Sequence, residues 1–345
     1  RLEARRERQR AAAVAEQERC DGLSAPKELA AEVREGAARG AAGRILRTPG
    51  NEPLALGDHP ELLAAMSELL ANEYMEVGAE LLSRAHAHCL DPPVLSFDGF
   101  ADASVCAAVA DAAAASGALV RSRVGAGEFG ATSENVSRRT SSSVLVNADV
   151  AAEHPQLGAA VDELQALGRT ALVGGGGWTT PGVLPPPGAF CYETTQLARY
   201  EPGQHFLEHE DAFPVHDARA QGFQRRATLL VYLNTPEGGG GTTRFEKVGC
   251  EVSPREGRAL LFFPARGGEL AGAPDARTLH TATDAGGEKW IAQLWVGWGM
   301  PAVGRAPPPP PQRAAARDGN TSAKAGKPKP KVKRKKRGGG FGGSK

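Results

Sequence analysis

Three side chains in this sequence have the types and spacing that hold a metal ion: His209, Asp211 and His280. In an extended segment, residues two apart project to the same face, so His209 and Asp211 reach one ion together. Two protein ligands leave a poorly defined site, and a third is expected from elsewhere in the chain. His280, in a polar segment that follows an apolar run, suits that position. Two histidines and one carboxylate occupy one face of an octahedral Fe(II), and the other three positions stay open for a cosubstrate and dioxygen. Taken alone, His-x-Asp is also what chance supplies in a chain with 8 His and 40 acidic residues. His205 and His216, close by, read as surface or supporting histidines.

Two neighbours sharpen the chemistry. Lys289 stands nine positions after His280 and opens the apolar run from Trp290. A buried ammonium must be paired, and the distal carboxylate of a chelating 2-oxo acid is a fitting partner. The competing reading is a solvated lysine at a strand end. Tyr200 lies nine residues before His209, across the turn Glu201-Pro-Gly-Gln204. From there its phenol can donate a hydrogen bond to the same carboxylate, with plain packing as the alternative.

A scaffold has to bring these groups together. At 345 residues the chain exceeds a typical single domain without demanding two cores. Its 41% hydrophobic residues suffice for one substantial core, and with aromatics at 6% the packing falls to Ala, Leu and Val. Residues 1–18, rich in Arg, Glu, Gln and Ala, read as a solvated helix or frayed arm. The run from Pro60 to Leu82 has helical periodicity, and a second helix, capped by Asp102 or Ser104, runs through the alanines to Ala115. Pro93–Phe100 reads as a short strand and turn, and strands are expected at 118–123, 142–147, 170–173, 195–201, 227–233, 258–263 and 290–296. Few helices and many short strands between Gly/Pro turns argue for a two-sheet antiparallel barrel with helices outside. A doubly wound nucleotide fold needs repeated strand–helix units, which the sequence after residue 150 does not suggest. The glycine runs Gly174–Gly177 and Gly238–Gly241 lack the Lys-Ser/Thr of a phosphate loop.

The formal net charge of +1 conceals a division. Residues 313–345 hold twelve of the 41 basic residues and one of the 40 acidic ones, leaving a body with 29 basic and 39 acidic side chains. The five cysteines form no CxxC pair, which excludes a zinc module and fits reduced thiols. No apolar stretch has the length of a membrane span.

Several longer motifs surround the candidate ligands. Glu193-Thr-Thr-Gln-Leu-Ala-Arg-Tyr-Glu-Pro-Gly-Gln-His-Phe-Leu-Glu-His-Glu-Asp211 leads into the His-x-Asp pair. Arg225-Arg-Ala-Thr-Leu-Leu-Val-Tyr-Leu-Asn234 follows, then Gly240-Gly-Thr-Thr-Arg-Phe245 and Pro254-Arg-Glu-Gly-Arg-Ala-Leu-Leu-Phe-Phe263. Leu279-His280 and Gly287-Glu-Lys-Trp290 close the series, and Arg139-Thr-Ser141 stands upstream. In this order the motifs closely resemble the prolyl 4-hydroxylase branch of the Fe(II)/2-oxoglutarate dioxygenases, from Pro93 to Trp298.

That resemblance implies a mainly β domain, a double-stranded β-helix or jelly roll with flanking and N-terminal helices. The expected division is a helical, partly disordered N-terminal segment at 1–90, the dioxygenase domain at 91–302, and a Pro-rich, basic, disordered tail at 303–345. By the same resemblance His209, Asp211 and His280 bind Fe(II), Lys289 pairs with the far carboxylate of 2-oxoglutarate, and Tyr200 and Thr243 assist as hydrogen-bond donors. 2-Oxoglutarate and O2 are then cosubstrates and ascorbate the reductant. The implied reaction, of procollagen-proline type, hydroxylates peptidyl proline at C4 and gives 4-hydroxyproline, succinate and CO2. Arg225 matches a basic residue of the family's substrate pocket and is taken as catalytic, set against a strand-edge surface charge. Gly174–Gly188 is richer in Gly and Pro than the family pattern and reads as a lid or a loop insertion. Gly297-Trp298 stands where some relatives place a polar substrate contact. Hydroxylation of another side chain or a small molecule is therefore the alternative activity.

The expected partner is a proline-containing peptide or protein. Ser133–Ser143, polar throughout, suits a segment that closes over substrate. The run Lys331–Arg337 reads as a nuclear import signal or an anionic-polymer contact, without the aromatics of a base-reading surface. A basic-tail nucleic-acid- or protein-binding module is the non-enzyme alternative. The resemblance implies the endoplasmic reticulum if a targeting segment precedes the chain; the basic run implies nucleus or cytoplasm if it is a targeting signal.

Overall fold

A polar helix opens the chain. In the computed structural model, which describes residues 2–39, 44–122, 138–173, 177–267 and 271–300, α1 (Leu2–Asp21) is solvated along most of its length and buries Cys20 in its last turn. Next, α2 (Pro26–Arg39) buries Leu29, Ala30 and Val33. After the short strands β1 (Leu46–Arg47) and β2 (Leu54–Ala55), α3 (Pro60–Glu73) buries Leu62, Ala65, Met66, Leu69 and Leu70. That spacing is the apolar stripe of a core-facing helix. The expected helix to Leu82 breaks at Tyr74, whose backbone turns to φ −128° and ψ −109°. Tertiary contacts hold it there: its hydroxyl donates to Asp91 at 3.0 Å and its carbonyl accepts from Arg226 Nε at 2.9 Å. The rest of the predicted helix becomes β3 (Glu76–Val77) and α4 (Ala79–Ser83).

Strands β4 (His86–Asp91) and β5 (Val94–Phe97) pair with each other, and α5 (Ala103–Ser116) follows. It ends as its alanine run predicts, at Gly117 in the left-handed conformation (φ 65°). Beyond β6 (Val120–Arg121) and β7 (Ser142–Leu145) comes the largest departure from the sequence reading. Residues 148–171 form α6 (Ala148–Glu153) and the 17-residue α7 (Pro155–Ala171), and only Leu172–Val173 of the predicted 170–173 strand is extended, as β8. Gly158 and Gly168 punctuate the helix and Pro155 opens it, which disguises its stripe of Leu157, Val161, Leu164 and Gly168. Proline at the first helical position is in fact a start signal.

The remaining elements are β9 (Phe190–Tyr192), β10 (Gln196–Tyr200), β11 (Phe206–His209), α8 (Val215–Gln221), β12 (Phe223–Tyr232), β13 (Thr243–Phe245), β14 (Cys250–Val252), β15 (Ala259–Phe262), β16 (His280–Ala282) and β17 (Lys289–Gly299). One sheet runs β1-β4-β5-β15-β12-β17-β10-β7-β6, and a smaller one runs β11-β16-β13-β14. From β10 onward the chain alternates between these antiparallel sheets, apart from β13 and β14, which pair as successive strands of the smaller one. This is the double-stranded β-helix expected, its core mainly β and its helices outside.

Strand β12 is buried from Arg226 to Tyr232 without alternation because both its faces are covered. Leu230, Tyr232, Tyr200, Phe245, Phe262 and Ile291 fill the space between the sheets. Leu229, Val231, Ala292 and Leu294 join a second core with Val109 of α5 and Leu164 of α7. The 303–345 tail, with Pro307–Pro311 and Lys331–Arg337, lies outside the described residues, as do 133–137 and 174–176.

Candidate metal centre

Two facing strands carry the histidines. β11 and β16 pair antiparallel, and His209 stands directly opposite His280 in the register. Their ring centroids are 4.2 Å apart. Each ring is anchored in the same way. His209 Nδ1 lies 2.9 Å from the Leu207 carbonyl and His280 Nδ1 lies 3.0 Å from the Thr278 carbonyl, in both cases two residues back along the chain. A carbonyl can only accept, so Nδ1 carries a proton in both rings, which leaves Nε2 as the nitrogen able to take a metal. His209 Nε2 is buried without any hydrogen-bond partner among the described residues. Burial first, and then the adjoining His280, push the His209 imidazole down and keep it neutral.

Asp211 completes the set just beyond β11. Its Oδ2 accepts from Thr228 Oγ1 at 2.8 Å and from Trp295 Nε1 at 3.1 Å. These donors come from β12 and β17, so the opposite sheet orients the carboxylate. Oδ1 is turned toward His209 Nε2 at 3.9 Å, too far for a hydrogen bond. Burial works against the charge of Asp211. His280, His209 and Arg225 beside it, with the Thr228 hydroxyl, outweigh that and hold the carboxyl below the usual carboxylate range. Ligand atoms of His209, Asp211 and His280 all lie within 4.8 Å of one another. Two imidazole nitrogens and one carboxylate, converging where the buried His209 Nε2 has no partner among the described residues, fit a divalent metal ion.

The next groups lie deeper between the sheets. Lys289 is 1% exposed, which rules out the solvated reading of this residue. Its Nζ donates to the Gly241 carbonyl at 2.7 Å and sits 4.3 Å from the centre of the Tyr200 ring, its register partner on β10. No carboxylate pairs with it among the described residues, and burial pushes its amine down to about 7. Thr243 is also buried, but its hydroxyl is engaged with Tyr232 at 2.8 Å. Tyr232 was not singled out in the sequence; its placement at the end of an apolar strand gave no polar signal.

Arg225 is not a strand-edge surface charge. Its guanidinium makes a two-pronged pair with Glu193 at 2.7 and 2.9 Å and donates to the Asp211 carbonyl at 3.2 Å. It lies between the rings of Phe213 (4.6 Å) and Trp295 (3.9 Å). Glu193, Thr228 and Trp295 are thus contacts of the centre that the sequence did not mark. Arg139, from the upstream Arg-Thr-Ser motif, stacks over Phe206 at 4.8 Å, and Phe206 stacks on His209 at 3.6 Å. His205 pairs with Asp284 at 3.0 Å and His216 with Asp217 at 3.2 Å, and neither belongs to the cluster. In Gly174–Gly188 the described part is mostly exposed, Val183 and Leu184 included, while the half-buried Trp178 stacks on Tyr192 at 4.9 Å.

Residues 195–297, which carry this geometry, match the 2OG-Fe(II) oxygenase superfamily. Within the superfamily its similarity falls in the prolyl 4-hydroxylase branch. A putative prolyl 4-hydroxylase of Acanthamoeba polyphaga mimivirus is 35% identical over 109 residues, 30% of this chain and 44% of that protein. Prolyl 4-hydroxylase 1 of Arabidopsis thaliana is 35% identical over 118 residues, 30% of this chain and 40% of that protein. The chain therefore spans less than half the length of these curated relatives. Among solved structures, the viral collagen prolyl hydroxylase of Paramecium Bursaria Chlorella virus-1 is 26% identical, with a TM-score of 0.42, covering 59% of this chain and 96% of that one.

Proposed function

We propose that this chain is an Fe(II)- and 2-oxoglutarate-dependent dioxygenase that hydroxylates peptidyl proline at C4, releasing 4-hydroxyproline, succinate and CO2, with ascorbate as reductant. The observation that carries the reading is the buried Nε2 of His209 facing Asp211 Oδ1 and His280, and the buried Lys289 between the same sheets, the first without a hydrogen-bond partner and the second without a carboxylate among the described residues. His209, Asp211 and His280 would hold Fe(II), which when bound supplies the dioxygen chemistry that side-chain acids and bases cannot. The chain's own groups do the positioning. Thr228 and Trp295 hold Asp211 with Oδ1 forward, and the Leu207 and Thr278 carbonyls fix both imidazole tautomers. Lys289 receives the far carboxylate of 2-oxoglutarate, and Tyr200 covers it. Arg225 keeps the Asp211 backbone and Trp295 in place beside the cleft that receives the peptide.

The test is a turnover assay on a library of proline-containing peptides with Fe(II), 2-oxoglutarate and ascorbate. Succinate should form in step with a hydroxyl on proline C4, located by mass and fragmentation. Succinate coupled only to other residues, or uncoupled from every peptide, overturns the substrate assignment. The donors to Asp211 give a second expectation. Thr228→Val and Trp295→Phe each leave Oδ2 with one donor, and each should weaken metal affinity about tenfold or more while the fold persists. Titration with Co(II) under anaerobic conditions measures this directly.

A further inference from the structure

The His280 tautomer depends on the Thr278 carbonyl, and that carbonyl sits in a short 3-10 turn, Ala276–Thr278. Asp275 caps the turn, accepting from the Arg277 backbone N–H at 3.1 Å. Thr278 closes it with two donations to the Asp275 carbonyl, from its N–H at 2.9 Å and its hydroxyl at 2.8 Å.

Arg277 ties the turn to the rest of the molecule. Its side chain is buried, and its guanidinium reaches Asp275 through Nε (2.9 Å) and Nη2 (2.6 Å). Nη1 donates to Asp91 at 3.0 Å and to the Arg44 carbonyl, and Nη2 also reaches the Tyr74 hydroxyl at 3.2 Å. Asp91, at the end of β4, accepts in turn from Arg44 Nε at 3.2 Å. Arg44 pairs with Glu32 of α2, and Glu32 takes a second guanidinium, Arg19 of α1, at 2.6 Å. Buried charges thus run without a break from Glu32 of α2, where the exposed Arg19 of α1 joins, to Arg277, the neighbour of the Thr278 whose carbonyl orients His280. Arg19, Glu32, Arg44 and Asp91 all lie outside the segment matching the oxygenase superfamily.

Stability alone is a weak reason for such a chain. Buried ion pairs lose much of their attraction to desolvation, and apolar side chains of equal volume often serve as well. Fixing direction is different, because a five-donor guanidinium held at several acceptors allows one placement of the turn that carries it. We propose that Arg277 is a positioning residue for His280, and that through Asp91, Arg44 and Glu32 the N-terminal helices set the metal affinity of the centre. The inference rests on the metal-binding part of the function proposed above.

The test uses the whole chain, metal-free, titrated anaerobically with Co(II). Arg277→Met should weaken Co(II) binding about 10- to 100-fold and alter the visible absorption of the bound Co(II). Glu32→Gln, at the far end of the chain of charges and close in shape, should weaken it several-fold. In the metal-free protein, 15N shifts of His280 should move from the single Nδ1–H tautomer toward a mixture in Arg277→Met. Leu62→Ala, a buried α3 variant outside the network, should lower the melting temperature without changing Co(II) affinity. If Arg277→Met does not fold, Glu32→Gln decides the matter. Wild-type affinity in Glu32→Gln and Arg277→Met, or an equal loss in Leu62→Ala, overturns the inference and leaves the functional reading standing. A wild-type chain that takes up no Co(II) overturns both.

Discussion

Replacing His209 with alanine should remove Fe(II) binding and turnover together while leaving the metal-free fold intact. One of three protein ligands carries on the order of 3–4 kcal/mol of metal-binding free energy, or about 10²- to 10³-fold in affinity. The metal-free protein should hardly be affected, because the substitution also deletes a buried nitrogen that has no hydrogen-bond partner among the described residues. What it loses is the stack on Phe206 and the Nδ1–H bond to the Leu207 carbonyl. Wild-type protein should therefore melt at a higher temperature when Fe(II) or Co(II) is added, and His209→Ala should melt at the same temperature with and without it. His280→Ala should behave alike in metal binding. Full turnover in either variant would refute the centre.

The second large effect concerns Lys289 and has a defined sign in pH. Its protonated form pairs with a carboxylate, and burial lowers its amine to about 7 in the ligand-free protein. Below that pH the ammonium is already present, and 2-oxoglutarate should bind at full strength. As pH rises through it, binding must first reprotonate the amine, and apparent affinity should fall about tenfold per pH unit. The ligand-free fold follows the opposite course. Its lysine pKa lies below the unfolded value, so this group makes the protein more stable as pH rises from about 7 toward the unfolded lysine pKa of roughly 10.4. Lys289→Met keeps the side chain's bulk and leaves the bound carboxylate unpaired, which should cost about 3 kcal/mol or more, at least ~100-fold in affinity. Calorimetry with 2-oxoglutarate and with a 2-oxo monocarboxylate separates the two ends of the ligand. The monoacid should bind wild type and Lys289→Met equally and show no such pH dependence. A 2-oxoglutarate affinity that stays flat from about pH 6 to 9 would remove Lys289 from its assigned role.

Much of this centre was legible before any coordinates. Read as an extended segment, His209 and Asp211, two apart, fall on one side by the period of a strand, although β11 itself ends at His209. His280 and Lys289 follow because a metal face needs a third ligand and a buried cation needs a partner. The long apolar strands β12, β15 and β17 were equally plain, since residues buried on both faces write themselves as continuous apolar runs.

The short strands of the smaller sheet, β11, β13, β14 and β16, were not visible. Each has three or four residues, mixed in polarity, and becomes a strand because a neighbour offers it a ladder. The helix α7 was hidden by its glycines, one of which lets the helix approach Tyr192. Tyr74 ends α3 because Asp91 and Arg226, distant in sequence, hold its two ends.

The sequence by itself determined the candidate donors and their local spacing, and the resemblance of its motifs suggested the reaction class, because residue identity and order are properties of the chain. Only the tertiary structure decided how those donors are aimed. Thr228 and Trp295 turn Asp211, the Leu207 and Thr278 carbonyls set the imidazole tautomers, and Glu193 engages Arg225. Each of these is a hydrogen bond or ion pair whose geometry exists once the backbone is folded, and most of them join elements that no local pattern in the chain connects.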